Sequence, residues 1–273
     1  MKQIYLSADI EGIWGNSDSA YTMKDGYAYE QYRANMIYEV NLAIQHLFDC
    51  GAQRVVLNDG HGGMDNLIPA QMDDRVEMIV SHGAYKEYGM MEGISSDFDG
   101  VCFLGYHCRS NTPGVMAHTI WGSQVRSISL NGEEIGESGL NAHLAWYYGL
   151  PVIMVSGDSL LKEQLISELK GQVHFVETKK TINSLCALNC SKQQLQQRYA
   201  ETIKAAMSDH YEIYPEDHYA LDITFHKERN ASFVARVPLT NQIDRCTVRI
   251  EGDNYDELYR RMRFLIKISN AFE

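Results

Sequence analysis

Five short apolar runs constrain what this chain can fold into more than any other feature. They are residues 2–8 (KQIYLSA), 53–58 (QRVVLN), 77–81 (EMIVS), 100–106 (GVCFLGY) and 151–155 (PVIMV). Runs this short and this apolar suit strands buried on both faces. Helical patterns separate several of them. Tyr32, Met36, Val40, Ile44 and Leu47 recur at helical spacing and mark a helix over 27–49, with Gly51 as its stop. Residues 137–148, and the segment from S-G-D-S to Lys170, read as further helices. Strand–helix alternation over 1–170 predicts an α/β fold, a largely parallel sheet flanked by helices.

The last third reads differently. Residues 173–182, 220–226 and 246–251 are strand-like, 191–207 is a polar helix opened by Ser191, and Asp253 is placed to cap a final helix over 254–270. The expected organisation is an α/β metal-binding catalytic domain over 1–170 and a smaller C-terminal α+β subdomain over 171–273. Within the first of these, Asn131-Gly132 predicts a two-residue hairpin turn over 125–135.

Composition narrows the functional classes. A chain of 273 residues with 45% hydrophobic content can bury a substantial core. Net charge is −12 and no Lys/Arg run supplies a basic face, so nucleic acid is not an expected partner. The longest apolar runs, such as 152–155, fall far below a membrane span. The apolar stretch Ile4–Leu6 is interrupted by Asp9 and Glu11 too soon to be a signal segment, and the expected location is the cytoplasm. The six cysteines form no CxxC pair and read as reduced thiols there.

Chemistry gathers where the strands end. Asp9 and Glu11 follow the first strand two residues apart, so a continued strand points both carboxylates one way. Like charges that close repel unless a cation lies between them. His61 follows the second strand within N-D-G-H-G-G, and His107 follows the 100–106 strand within L-G-Y-H-C-R-S. Singly, each reads as an exposed acid or an ordinary histidine. Together they occupy the carboxyl ends of three parallel strands, the edge where open α/β sheets bind ligands. Carboxylate with imidazole is ordinary ligand chemistry for zinc, and also for manganese or iron. Cys108 next to His107 should point to the opposite face. Spacing alone does not choose among Glu133, Glu134 and Glu137 as a further acid. His118 lies beyond the Pro113-Gly114 turn, where an imidazole could shuttle a proton or donate to an oxyanion. No G-x-S-x-G elbow, G-x-G-x-x-G fingerprint or P-loop occurs, which argues against serine hydrolase, Rossmann and P-loop readings. A non-catalytic metal-binding module is the alternative from another class.

Five strings in order also carry a family resemblance: S-A-D-I-E-G at 7–12, N-D-G-H at 58–61, F-L-G-Y-H at 103–107, T-P-G-V-M-A-H at 112–118 and G-E-S-G-L-N-A at 136–142. Together they resemble the DppA-like D-aminopeptidases, zinc peptidases linked to bacterial dipeptide transport. The resemblance implies two zinc ions per subunit. Asp9 would bridge them, with Glu11 and His107 completing one site and His61 and Glu137 the other; this is what selects Glu137. It implies that His118 is the catalytic residue, that N-terminal D-amino acids are released from short peptides, and that the subunits form a homo-oligomer, a ring-stacked decamer in the prototype. Attack by a hydroxide bridging the metals is the expected mechanism. The loop G-H-G-G, Cys108 and Trp14 depart from the family pattern. They leave open an L-selective peptidase or a related metalloamidase.

Overall fold

A computed structural model describes residues 1–171 and 173–271. The chain runs β1 (Gln3–Ala8), α1 (Tyr29–Asp49), β2 (Arg54–Asp59), β3 (Glu77–Ile79), β4 (Gly100–Leu104), β5 (Val125–Leu130) and β6 (Glu133–Ile135). It continues through α2 (Glu137–Tyr147), β7 (Val152–Asp158), α3 (Ser159–Glu168), β8 (His174–Asn183), β9 (Cys186–Asn189), α4 (Lys192–Ser208) and β10 (Tyr219–Phe225). It closes with α5 (Glu228–Val234), β11 (Asn241–Gln242), β12 (Thr247–Gly252) and α6 (Tyr255–Ile268).

The first sheet has the order β3-β2-β1-β4-β7-β8-β9, parallel except for β9. Its strands alternate between two cores. Ile4, Leu6, Val55, Leu57, Cys102 and Leu104 face α1 and α4. Tyr5, Val56, Val101, Phe103 and Val155 face the other core, with α2, α3, α6 and the second sheet. Covering both faces is why these strands read as unbroken apolar runs rather than as alternation. The second sheet is antiparallel, in the order β11-β12-β10-β5-β6. Asn131 (φ 51°) and Gly132 (φ 90°) form the predicted turn between β5 and β6.

Two details depart from the sequence reading. The boundary expected at residue 170 does not separate the sheets. β8 and β9 extend the parallel sheet from beyond it, while β5 and β6 join the antiparallel sheet from before it. The cap of α6 is Asn254, whose side chain accepts from Glu257 N at 3.0 Å. Asp253 instead meets His218 Nδ1 at 2.6 Å.

The order of strands positions the site. From β1 the chain works outward to β2 and β3, then returns to the other flank of β1 with β4. The β1/β4 junction is therefore the switch point of the sheet, where diverging loops open a crevice at the carboxyl edge.

Candidate metal centre

Asp9 and Glu11 lie in the loop leaving β1, and His107 three residues past β4. The two loops cross in contact. Gly12 N donates to Gly105 O at 2.7 Å, and a Cβ on Gly12 would fall 2.0 Å from the Tyr106 carbonyl oxygen. Gly105 itself sits at φ +66°, with a Cβ position 2.3 Å from the Asp9 carbonyl oxygen. From below, Lys179 Nζ donates to the carbonyls of Glu11 (2.5 Å), Ile13 (2.9 Å) and Asn16. Burial depresses this amine to about 8. These contacts hold both carboxylates at the sheet edge.

His61 approaches from the β2 side. Its loop is tied by Asp59, whose carboxylate accepts from His61 N (3.2 Å), Asn66 N (2.5 Å) and Leu67 N (2.9 Å). The ring's Nε2 donates to the Thr22 carbonyl at 3.0 Å, which leaves Nδ1 facing Glu11 Oε2 (3.0 Å) and Asp9 Oδ1 (3.2 Å). His107 repeats this arrangement on the β4 side. Its Nδ1 donates to Cys108 O at 2.9 Å, and Nε2 faces Asp9 Oδ2 (3.4 Å) and Glu137 Oε1 (3.5 Å), buried and without a hydrogen-bond partner. Glu137 is the first residue of α2 and accepts from Ile120 N at 2.6 Å.

The electrostatics are those of a site wanting positive charge. Burial disfavours the imidazolium at both histidines, yet Glu11 and Asp9 around His61, and Glu137 and Asp9 around His107, outweigh it and hold both rings well above their usual range. Burial likewise opposes ionisation of Asp9 and Glu137, and the histidines outweigh it to hold both carboxyls low. With the other nitrogen of each ring committed to a carbonyl, the outward nitrogen faces carboxylate oxygens, and only a proton or a cation satisfies such a contact. A tetrahedral metal with bonds of about 2.0–2.1 Å places neighbouring donors roughly 3.3–3.4 Å apart. The separations of 3.0–3.5 Å bracket that value. The second-sphere hydrogen bonds that fix each tautomer also fit a divalent metal.

The five expected ligands come together, and their donor atoms fall into two groups. Asp9, Glu11 and His61 form one group of donors, and His107, His118 and Glu137 another. Asp9 reaches both, with Oδ1 toward His61 and Oδ2 toward His107. The reason is strand order: β2 delivers His61 to one flank of β1, where Glu11 lies, and β4 delivers His107 to the other.

His118 stacks on His107, with centroids 4.2 Å apart and planes at 11°. Its Nδ1 donates to Met116 O at 2.9 Å, and Nε2 stands 4.0 Å from Glu137 Oε1. It lines a cavity of about 1510 Å³ together with Asp9, Glu11, His61 and Glu137. Cys108, in the loop past the end of β4, turns away, its Sγ 3.8 Å from Asp158 Oδ1.

Sequence reasoning did not single out Glu168, Asp59, Glu39 or Lys179. Glu168 accepts from Gly136 N (2.7 Å), Ser138 Oγ (2.7 Å) and Gln164 Nε2 (2.9 Å), clasping both neighbours of Glu137. Glu39 accepts from Trp14 N at 2.7 Å and from Tyr199 and Ser156, behind the β1 loop. Only Asp59, inside the N-D-G-H string, carried any local signal.

Residues 1–264 match the family model described as D-aminopeptidase. The D-aminopeptidase of Bacillus subtilis (strain 168) is 32% identical over 272 residues, spanning 98% of this chain and 97% of that protein. A solved structure described as "Zn-dependent D-aminopeptidase DppA from Bacillus subtilis, a self-compartmentalizing protease" is similar at a TM-score of 0.92. It shares 31% identity and 98% of each chain is covered.

Proposed function

This chain belongs to the D-aminopeptidase family, and from that premise we propose that it is a zinc-dependent aminopeptidase releasing N-terminal D-amino acids from short peptides. One observation carries the reading: two buried imidazole nitrogens, His61 Nδ1 and His107 Nε2, aim at opposite oxygens of Asp9. We assign Asp9, Glu11 and His61 to one zinc ion and Asp9, His107 and Glu137 to a second, with Asp9 shared. The zinc named in the description of the similar structure supports the choice of metal.

Zinc in such a site polarises a substrate carbonyl and makes a water molecule more acidic. The chain's own groups do the rest. His118, with Nδ1–H committed to the Met116 carbonyl, keeps Nε2 at the cavity wall. It takes a proton from the attacking water and returns it to the departing amide nitrogen. In its protonated form the same atom donates to the oxyanion of the tetrahedral intermediate. The stack on His107 fixes the ring's plane. Met116 (φ 53°) and Ile120 (φ 59°), non-glycine residues with left-handed backbone, bracket the segment that presents it.

We further propose a cytoplasmic homo-oligomer, decameric as the family resemblance implies. The self-compartmentalizing description of the similar protease supports closed assembly, and six free thiols suit a reducing compartment. No described helix is long and apolar enough to cross a membrane.

The test is a panel of D- and L-alanyl dipeptides and amides assayed before and after chelation. The reading expects D-alanyl peptides to be cleaved, activity to vanish with chelator, and zinc to restore it. Chelator-resistant turnover, or preference for L-alanyl substrates, would contradict it.

A further inference from the structure

The cavity over the site is lined by five basic side chains, Lys86, Arg260, Arg261, Arg263 and Lys267. Four have partners in the fold. Lys86 Nζ donates to Asn58 Oδ1 at 2.8 Å and to the Asp59 carbonyl at 2.9 Å. Arg260 pairs with Asp256 at 2.8 Å and Glu87 at 3.1 Å. Arg261 reaches the Leu239 carbonyl, and Lys267 the Ala84 carbonyl at 2.5 Å.

Arg263 is different. Its Nε is buried without a hydrogen-bond partner, and among the described residues no carboxylate lies within ion-pair distance of its guanidinium. The group rests against Gly89, where a Cβ would fall 2.2 Å from Cζ and Nη2. That cradle belongs to the same wall as the metal site. Asn58 Nδ2 binds the carbonyls of Gly89 (2.9 Å) and Met90 (2.7 Å), and the Met90 side chain lies 3.2 Å from where a Cβ on Gly60 would sit, next to His61.

Arg263 is half-buried, and its unpartnered Nε leaves a donor unsatisfied in the free protein. Its planar fork matches a carboxylate in bidentate fashion. A short peptide with its amino end at the metal site brings one anionic group to the rest of the cavity, its terminal carboxylate. We propose that Arg263 receives that carboxylate, so that the protein selects short peptides with a free C-terminus over peptide amides. This rests on the aminopeptidase reading above.

The experiment compares D-alanyl-D-alanine with D-alanyl-D-alaninamide, on the zinc-loaded wild-type protein and on Arg263→Met and Arg263→Lys. The wild type should favour the free acid by about tenfold or more in kcat/KM. Arg263→Met should lose about 30-fold or more on the free acid, mainly through KM, and leave the amide within about twofold. Arg263→Lys, which keeps the charge but not the fork, should fall between. Equal wild-type turnover of acid and amide would overturn the carboxylate site and leave the peptidase reading standing. So would a parallel loss on both substrates in Arg263→Met. Failure of the wild type to cleave either substrate would remove both. The wild-type ratio alone decides the matter if Arg263→Met does not fold.

Discussion

Glu168 lies outside the donor cluster, yet its removal should loosen the metal site. The carboxylate accepts three hydrogen bonds, from Gly136 N, Ser138 Oγ and Gln164 Nε2, and so pins the residues on either side of Glu137. Burial pushes its carboxyl up from the usual range. Glu168→Ala strips the partner from all three donors in a buried setting. Each orphaned group costs roughly 1–3 kcal/mol, and partial relaxation brings the sum to about 3–5 kcal/mol. Glu168→Gln is the control. Its carbonyl can face Gly136 and Gln164 while its amide donates to Ser138 Oγ, so it should cost about 1 kcal/mol or less. Because outer-sphere groups orient ligands, Glu168→Ala should also weaken zinc binding by about 10- to 100-fold. Urea unfolding of the zinc-loaded proteins reads the first effect, and competition with a chromogenic chelator reads the second. Wild-type zinc affinity in Glu168→Ala, or equal losses in Ala and Gln, would refute the argument.

Three further outcomes follow from the geometry. His118→Gln should lower kcat by about 10²- to 10⁴-fold with zinc content unchanged; loss of zinc would instead make His118 a ligand, since it belongs to the same donor group as His107 and Glu137. Gly12→Ala forces a Cβ to within 2.0 Å of the Tyr106 carbonyl oxygen, so it should destabilise the fold by about 2–4 kcal/mol and deplete zinc, as thermal unfolding and metal analysis would report. His143, packed among Trp146, Tyr219 and Tyr255, is depressed by burial, and secondarily by Lys170, from 6.5 to about 4. The unfolded chain therefore binds more protons between these values. The contribution is full above about pH 6.5 and declines as pH falls toward 4, losing about 2 kcal/mol between roughly pH 7 and pH 5. Urea titrations should show a flatter pH dependence in His143→Phe; equal slopes would contradict the assignment.

The parallel sheet was legible because strands covered on both faces leave unbroken apolar runs, and their carboxyl ends located Asp9, Glu11, His61 and His107 together. Glu137 was not, since Glu133 and Glu134 are equivalent by spacing; only the family resemblance separated them. Which histidine lies beside which acid was illegible for a different reason. It depends on β2 and β4 taking opposite flanks of β1, a property of strand order that no local pattern encodes. Glu168 and Lys179 escaped notice because their partners lie 32 and 168 residues away in sequence. The boundary at residue 170 followed a change in local pattern, whereas β5 and β8 each join a sheet built mainly from the other side of it.

The central claim is that Asp9 stands between two metal ions. Crystals of the zinc-loaded protein measured on either side of the zinc absorption edge test it directly. The account predicts two anomalous peaks about 3.5–4 Å apart, one against Glu11 and His61 and the other against His107 and Glu137, with an Asp9 oxygen on each. A single peak, or two peaks without Asp9 between them, would contradict it.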